Sequence, residues 1–251
     1  MRSHVGKVRQ VNEDQAWSGV LPGGWTAAIV ADGMGGHRAG DVASSLAVDS
    51  LVQSLQTWEH AASVADSVPK LREIIRQANK TVFDTASLND QYHNMGTTVV
   101  MAMIRGDAGL IGHIGDSRAY RLRGGRLELL TEDHTLVNEL TKSGQLTPQE
   151  AAHHPRRNVL TRALGTDREV DADVQIIDWR SGDVLLLCSD GLSGLVEPSE
   201  VQAALEHPGA DLDQQAQQLI DLALVAGGDD NITVVLVADG GRAYAAGGES
   251  A

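Results

Sequence analysis

Cysteine is nearly absent from this 251-residue chain. Cys188 stands alone, which excludes an intrachain disulfide, and its place inside an apolar run reads as a small buried side chain in a reducing compartment. Cytoplasm is the expected setting. Aromatic residues are also scarce, four Trp, three Tyr and one Phe, so aliphatic side chains must fill the core. A hydrophobic content of 42% is ample for that. Basic residues are outnumbered, 20 Lys and Arg against 34 Asp and Glu, for a formal charge of −14. This balance argues against nucleic acid as a partner, because phosphate backbones are bound by a surplus of Lys and Arg, and it leaves carboxylates to spare for cations. No apolar run approaches the roughly 20 residues of a membrane helix, and no signal-peptide core follows Met1, so neither membrane insertion nor export is expected. Also missing are Gly-x-Ser-x-Gly, His-Glu-x-x-His, a Walker-type lysine loop and any Cys-centred nucleophile motif. Hydrolysis by water activated on a metal needs none of these.

What is present is a repeated plan in which an apolar run meets an aspartate. Ala27 to Ala31 leads into Asp32-Gly33-Met34-Gly35-Gly36-His37, Leu185 to Cys188 leads into Ser189-Asp190-Gly191, and Gly228-Asp229-Asp230-Asn231 leads into Ile232 to Val237. Strands converging on one end of a core bring Asp32, Asp190 and Asp230 together, and clustered carboxylates repel unless cations lie between them. Aspartate oxygens without His or Cys ligand spacing suit Mg²⁺ or Mn²⁺. Asp-Gly alone also marks tight turns, and the second Val-Ala-Asp-Gly, ending at Gly240, reads as a plain strand terminator.

Several other residues are candidates. Glu13, Asp14, Asp116 and Asp229 can accept hydrogen bonds from metal-bound water, although each taken singly is equally a solvated loop carboxylate. Arg9, three residues before Asn12-Glu13-Asp14, offers a guanidinium suited to two parallel bonds with phosphate; by itself it is more readily a surface arginine paired with an acid. His37 can protonate a leaving oxygen or bond nearby backbone.

Periodicity organises the remainder. Val5 to Asp14 reads as an edge strand running into a loop, and Trp25 to Ala31 as a buried strand. Ala43, Leu46, Ala47, Leu51 and Leu55 mark one helix, and Leu71, Ile74, Ile75, Ala78 and Val82 a second. Strands follow at Thr97 to Ile104, within Asp107 to Leu122 on either side of Gly115-Asp116-Ser117-Arg118, at Val174 to Ile177 and at Val184 to Cys188. A last helix, Leu212 to Ala223, stops at Gly227-Gly228. Asp133 to Asp171 is polar and broken by Gly144, Pro148 and Pro155; it is expected to form a flap tethered by Val159, Leu160 and Leu164, with His153 and His154 at its surface. Without regular βαβ alternation, these elements predict mixed α and β with antiparallel sheets. The candidate ligands span residues 32 to 230, so residues 1–240 are expected to be one domain and 241–251 a flexible tail.

Together these stretches resemble the metal-dependent serine/threonine protein phosphatases of type 2C in their compact bacterial form. The resemblance rests on Arg9-x-x-Asn12-Glu13-Asp14, Ala31 to His37, Met95-Gly96-Thr97-Thr98, Gly115 to Arg118, Ser189 to Leu192 and Asp229 to Thr233, six stretches in the family's order over essentially the whole chain. It implies a four-layer α-β-β-α sandwich, two antiparallel sheets flanked by helices, with a two-metal centre at one end. By that likeness Asp32 bridges the metals, Asp190 and Asp230 complete one ligand set, Gly33 offers its carbonyl, Glu13 holds a metal-bound water, and Asp116 with Asp190 forms a weaker third site. Arg9 grips the substrate phosphate, and a hydroxide between the metals attacks a phosphoserine or phosphothreonine monoester. Met34 stands where animal members carry a histidine, so proton donation falls to His37 or to water. The implied partners are phosphoproteins and a Hanks-type kinase, and a monomer is expected. A non-catalytic phosphopeptide-binding module and a small-molecule phosphomonoesterase are the alternatives.

Overall fold

In the computed structural model, which describes residues 1–35, 39–58 and 64–239, the strands form two sheets, antiparallel throughout the described residues. One runs in the order β1 (Arg2–His4), β11 (Ile232–Ala238), β10 (Val184–Cys188), β7 (Arg118–Arg123), β8 (Arg126–Leu129). The other runs β2 (Asp14–Leu21), β3 (Trp25–Met34), β5 (Val99–Arg105), β6 (Ala108–Ile114), β9 (Asp173–Asp178), with β4 (Gly96–Thr97) pairing the end of β3. Helices α1 (Ala39–Gln56) and α2 (Val64–Leu88) cover the second sheet; α5 (Asp190–Ser193), α6 (Pro198–Leu205) and α7 (Leu212–Val225) belong to the first. Two short helices, α3 (Leu136–Lys142) and α4 (Pro148–Ala152), lie in the segment between β8 and β9. None of the described helices is long and apolar enough to cross a membrane.

The layering follows from strands that are apolar at every position, since these need cover on both faces. On β3, Ala27, Ile29 and Ala31 pack with Leu51 of α1 and Ile75 of α2. The alternate residues, Ala28 and Val30, pack with Leu185, Leu187 and Val235 of the facing sheet. On β10 the same alternation sends Val184, Leu186 and Cys188 towards Val201, Ala216 and Leu219. Side chains a residue apart point to opposite faces, so each such strand contributes to an outer, helix-covered layer and to a central seam. The result is the expected four-layer α-β-β-α sandwich, and Cys188 is buried as a free thiol.

Some elements differ from expectation. The N-terminal edge strand is Arg2–His4, and no strand lies between Val5 and Glu13; instead Asp14 opens the eight-residue β2. At the margin of its sheet β2 is buried only at its two ends, Asp14 and Leu21, and half-buried or exposed between them, so it lacks the apolar run that marks a doubly covered strand. The strand that starts at Trp25 does not stop at Ala31 but continues through Asp32, Gly33 and Met34, because β4 pairs with Gly33 and Met34. Helices α4 and α6 begin at capping boxes, Thr147 with Glu150 and Glu197 with Glu200, each followed by proline in the first turn. Val159 is exposed and does not tether the segment from Asp133 to Asp171. Leu164 does, fully buried and exchanging backbone bonds of 2.8 and 3.0 Å with Thr97. His37 and residues 241–251 lie outside the described residues.

Removing the fully buried seam residue Leu187 by Leu187→Ala is expected to cost about 2–5 kcal/mol of stability. Val20→Ala, at a position 76% exposed, should stay within about 0.5 kcal/mol. Urea denaturation of both variants checks the seam directly; equal costs would contradict the layering.

Candidate metal centre

The central seam is apolar along its length and acidic at one end. Continuing the seam face of β3 from Ala28 and Val30 brings the chain to Asp32, and Asp14 stands directly opposite it in the β2–β3 register. Asp190 begins α5 immediately after Ser189, Asp230 lies two residues before β11, and Asp116 occupies the β6–β7 turn. Four separate crossings of the core thus deliver carboxylates to one place. Asp32, Asp116, Asp190 and Asp230 line a single cavity of about 480 Å³, with Arg9 and Glu13 on its wall.

Short polar contacts fix this end. Ser189 Oγ donates to Asp14 Oδ2 at 2.8 Å and accepts the Thr233 N–H at 3.0 Å, joining the two sheets. Asp32 exchanges backbone contacts with Thr98: its N–H donates to Thr98 Oγ1 at 3.0 Å and its carbonyl accepts from Thr98 N–H at 2.9 Å. Asn231 stitches the Arg9 loop in place, accepting from Glu13 N–H and donating to the carbonyls of Val5 and Val11 at 2.8 to 3.0 Å. Turn geometry does not account for Gly33. A Cβ there would lie 2.1 Å from the Gly40 carbonyl oxygen and 2.6 Å from that of Glu13, so only glycine lets the Asp32 strand, the start of α1 and the Glu13 loop meet.

Electrostatics shows what these contacts leave unmet. Burial first, then neighbouring carboxylates, push Asp32 well above the ordinary carboxylate range and raise Asp190. Asp14 and Asp116 are each raised to about 7, chiefly by burial, which disfavours ionisation on the order of 4 kcal/mol apiece. Asp14 Oδ1 and Asp190 Oδ1 are buried without a hydrogen-bond partner among the described residues. Orphaned carboxylate oxygens in an all-oxygen donor set fit hard divalent cations such as Mg²⁺ or Mn²⁺, and a bound cation takes the place of the protons that this crowding otherwise draws in.

The structure also gathers residues that sequence reasoning missed. Asn158, Thr161 and Arg162, from the polar segment between β8 and β9, line the same cavity; isolated polar residues in a punctuated stretch carry no signal of this. A second cluster, His113, His134 and Asp173, brings three ligand-type atoms within 4.8 Å of one another, yet its bonding opposes metal ligation. His134 Nδ1 accepts the Gly115 N–H at 3.1 Å, which places the proton of the neutral ring on Nε2, facing Asp173 Oδ2 at 3.2 Å. The two imidazoles are stacked, with centroids 4.7 Å apart, so they run side by side. His134 N–H also donates to the Gly115 carbonyl at 3.0 Å. This cluster therefore clamps the turn that carries Asp116.

Comparison with known proteins agrees with the geometry. Residues 2–222 match the family described as Protein phosphatase 2C. The serine/threonine phosphatase stp of Listeria monocytogenes is 39% identical over 236 residues, which are 94% of this chain and 93% of that protein. The chain belongs to the protein phosphatase 2C family. Its fold matches that of the Mycobacterium tuberculosis serine/threonine phosphatase PstP/Ppp with a TM-score of 0.84 and 38% identity, covering 94% and 95% of the two chains. A structure of the catalytic domain of the serine/threonine protein phosphatase PstP, in complex with two manganese ions, aligns with a TM-score of 0.82 and 37% identity over 95% of this chain and 96% of that one. As a 2C phosphatase this chain is a phosphoric monoester hydrolase, and the sequence resemblance and the family assignment coincide.

The raised carboxyls set a pH dependence. Asp14 and Asp116 hold protons up to about pH 7 in the fold but only to about 4 when unfolded. The folded state therefore binds more protons between these limits, and stability in EDTA rises as pH falls from about 7.5 towards 5. His134, pushed down to about 4, and His113, also lowered, both chiefly by burial, act in the opposite sense below about pH 6.5, but these two stand against the raised carboxyls of Glu13, Asp14, Asp32, Asp116 and Asp190. Saturating Mn²⁺, which needs ionised carboxylates, should reverse the trend. Thermal melts at pH 7.5 and 6.0 with either additive test this; a lower melting temperature at pH 6.0 in EDTA contradicts it.

Proposed function

We propose that this 2C phosphatase hydrolyses phosphoserine and phosphothreonine monoesters of proteins at the cavity lined by Arg9 and the acid cluster. The observation that carries the reading is the convergence of Asp32, Asp116, Asp190 and Asp230, from four chain segments, on one cavity with a guanidinium at its wall. Asp32, Asp190 and Asp230 would hold two divalent cations with help from the Gly33 carbonyl and Glu13, and Asp116 with Asp190 would offer a third, weaker position. When bound, the cations would supply an activated water and neutralise charge on the phosphoryl oxygens. Arg9 orients the phosphate by paired N–H bonds. The seryl or threonyl oxygen leaves with a proton from His37 or from water.

Uncatalysed phosphomonoester hydrolysis is so slow that the site must lower its barrier on the order of 20 kcal/mol, mostly by such charge neutralisation. The chain up to residue 240 acts as one domain, with Asp133 to Asp171 as a flap beside the cavity. The counterpart is a Hanks-type serine/threonine kinase whose phosphorylations this enzyme reverses. A monomer in the cytoplasm is consistent with the free, buried thiol of Cys188.

The test is hydrolysis of p-nitrophenyl phosphate and a phosphothreonine peptide with Mn²⁺, Mg²⁺ or EDTA. Turnover should require the cation, and Asp32→Asn should lower kcat by about 1000-fold, whereas Arg9→Ala should act mainly by raising KM about 10- to 100-fold. Peptide binding without turnover would make this a recognition module, and preference for small esters over the peptide a small-molecule phosphomonoesterase.

A further inference from the structure

Asp230 is held at both oxygens by donors of very different kind. Oδ1 accepts the backbone N–H of Asn231 at 2.8 Å, a contact set by the start of β11. Oδ2 accepts from Nη2 of Arg9 at 2.7 Å. Arg9 is a long, half-exposed side chain on the strand-free stretch from Val5 to Glu13. Among the described residues this is the only hydrogen bond its guanidinium makes, and the group lines the cavity that Asp32 and Asp190 also line. The same arginine is therefore bound to a candidate cation ligand and placed to meet an incoming anion.

We propose that Arg9 exchanges partners: it neutralises Asp230 until a divalent cation takes that carboxylate, and the guanidinium so released is the one that grips phosphate. A dication and a guanidinium on one carboxylate repel each other, so each weakens the other's hold on Asp230. Phosphate drawing Arg9 away frees Asp230, and cation and phosphate binding support one another. Such coupling is reciprocal: the factor by which phosphate tightens the cation is the factor by which the cation tightens phosphate. This inference rests on the cation-dependent phosphatase reading, and it makes Arg9 a brake on cation binding as well as a substrate ligand.

Calorimetric titration of Mn²⁺ into the wild type, Arg9→Ala and Arg157→Ala, with and without inorganic phosphate, tests it. Arg157 lines the adjoining groove that Asp190 and Asp230 also border, so its removal controls for loss of a positive charge nearby. Arg9→Ala should bind one Mn²⁺ about tenfold more tightly than the wild type, and Arg157→Ala should change affinity less than about threefold. Phosphate should tighten Mn²⁺ binding by a larger factor in the wild type than in Arg9→Ala. As a second readout, Arg9→Ala should melt at a lower temperature in EDTA and gain more from Mn²⁺. Unchanged or weaker binding in Arg9→Ala, or equal tightening in both variants, overturns the exchange while leaving Asp32-dependent hydrolysis untouched. A wild type that binds no Mn²⁺ overturns the exchange and the cation centre together.

Discussion

Burial of mutually repelling carboxylates at one end of the inter-sheet seam is the constraint around which this molecule is arranged. Asp14, Asp32 and Asp190 are raised above the ordinary carboxylate range by burial first and by their neighbours second, and Asp14 Oδ1 and Asp190 Oδ1 have no hydrogen-bond partner among the described residues. A fold stabilised by only about 5–15 kcal/mol can carry that opposition because the rest of the seam is close-packed aliphatic. The chain's own relief is partial: Ser189 on Asp14, Arg9 on Asp230 and Asn231 N–H on Asp230. Full relief needs positive charge between the acids, which is the chemistry of a two-cation phosphatase.

The architecture explains how such a site is kept in register. Because β3, β10 and β11 are covered on both faces, their ends cannot slide without turning apolar residues to the wrong layer, and Asp32, Asp190 and Asp230 sit directly at or beside those ends. Glycine at 33 and 191 lets backbones close to distances no side chain permits; a Cβ on Gly191 would lie 1.9 Å from the Asn231 carbonyl oxygen. Asp116 is on a turn rather than at a strand end, and the double hold of His134 on Gly115 compensates, through ring and backbone alike. That hold requires a neutral imidazole, which its burial favours.

The parts legible in the sequence are those with long-range regularity. The stripes of α1, α2 and α7 and the unbroken apolar runs of β3, β5, β10 and β11 announce themselves because each is packed along its length. Asp32, Asp190 and Asp230 were found because each adjoins such a run. Edge strands left no comparable trace: β1 has three exposed residues, and β2 is half-buried or exposed at every position between its two ends. Pairings across the chain were equally hidden. His113 and His134 meet only because the β7–β8 hairpin returns the chain to the end of β6, and nothing near Arg162 or Asn158 in sequence marks them as cavity residues. For Asp14 the sequence suggests an acceptor for metal-bound water but no part in the core; its register opposite Asp32 and its bond to Ser189 make it a strut between the sheets.

The central claim, that the acid cluster is a divalent-cation centre, is tested most directly by anomalous diffraction at the manganese edge from crystals grown with Mn²⁺. The account predicts two strong peaks flanking the Asp32 carboxylate, within bonding reach of Asp190 and Asp230 and none at His113 and His134. Peaks at the histidine pair, or an acid cluster without any, would contradict it.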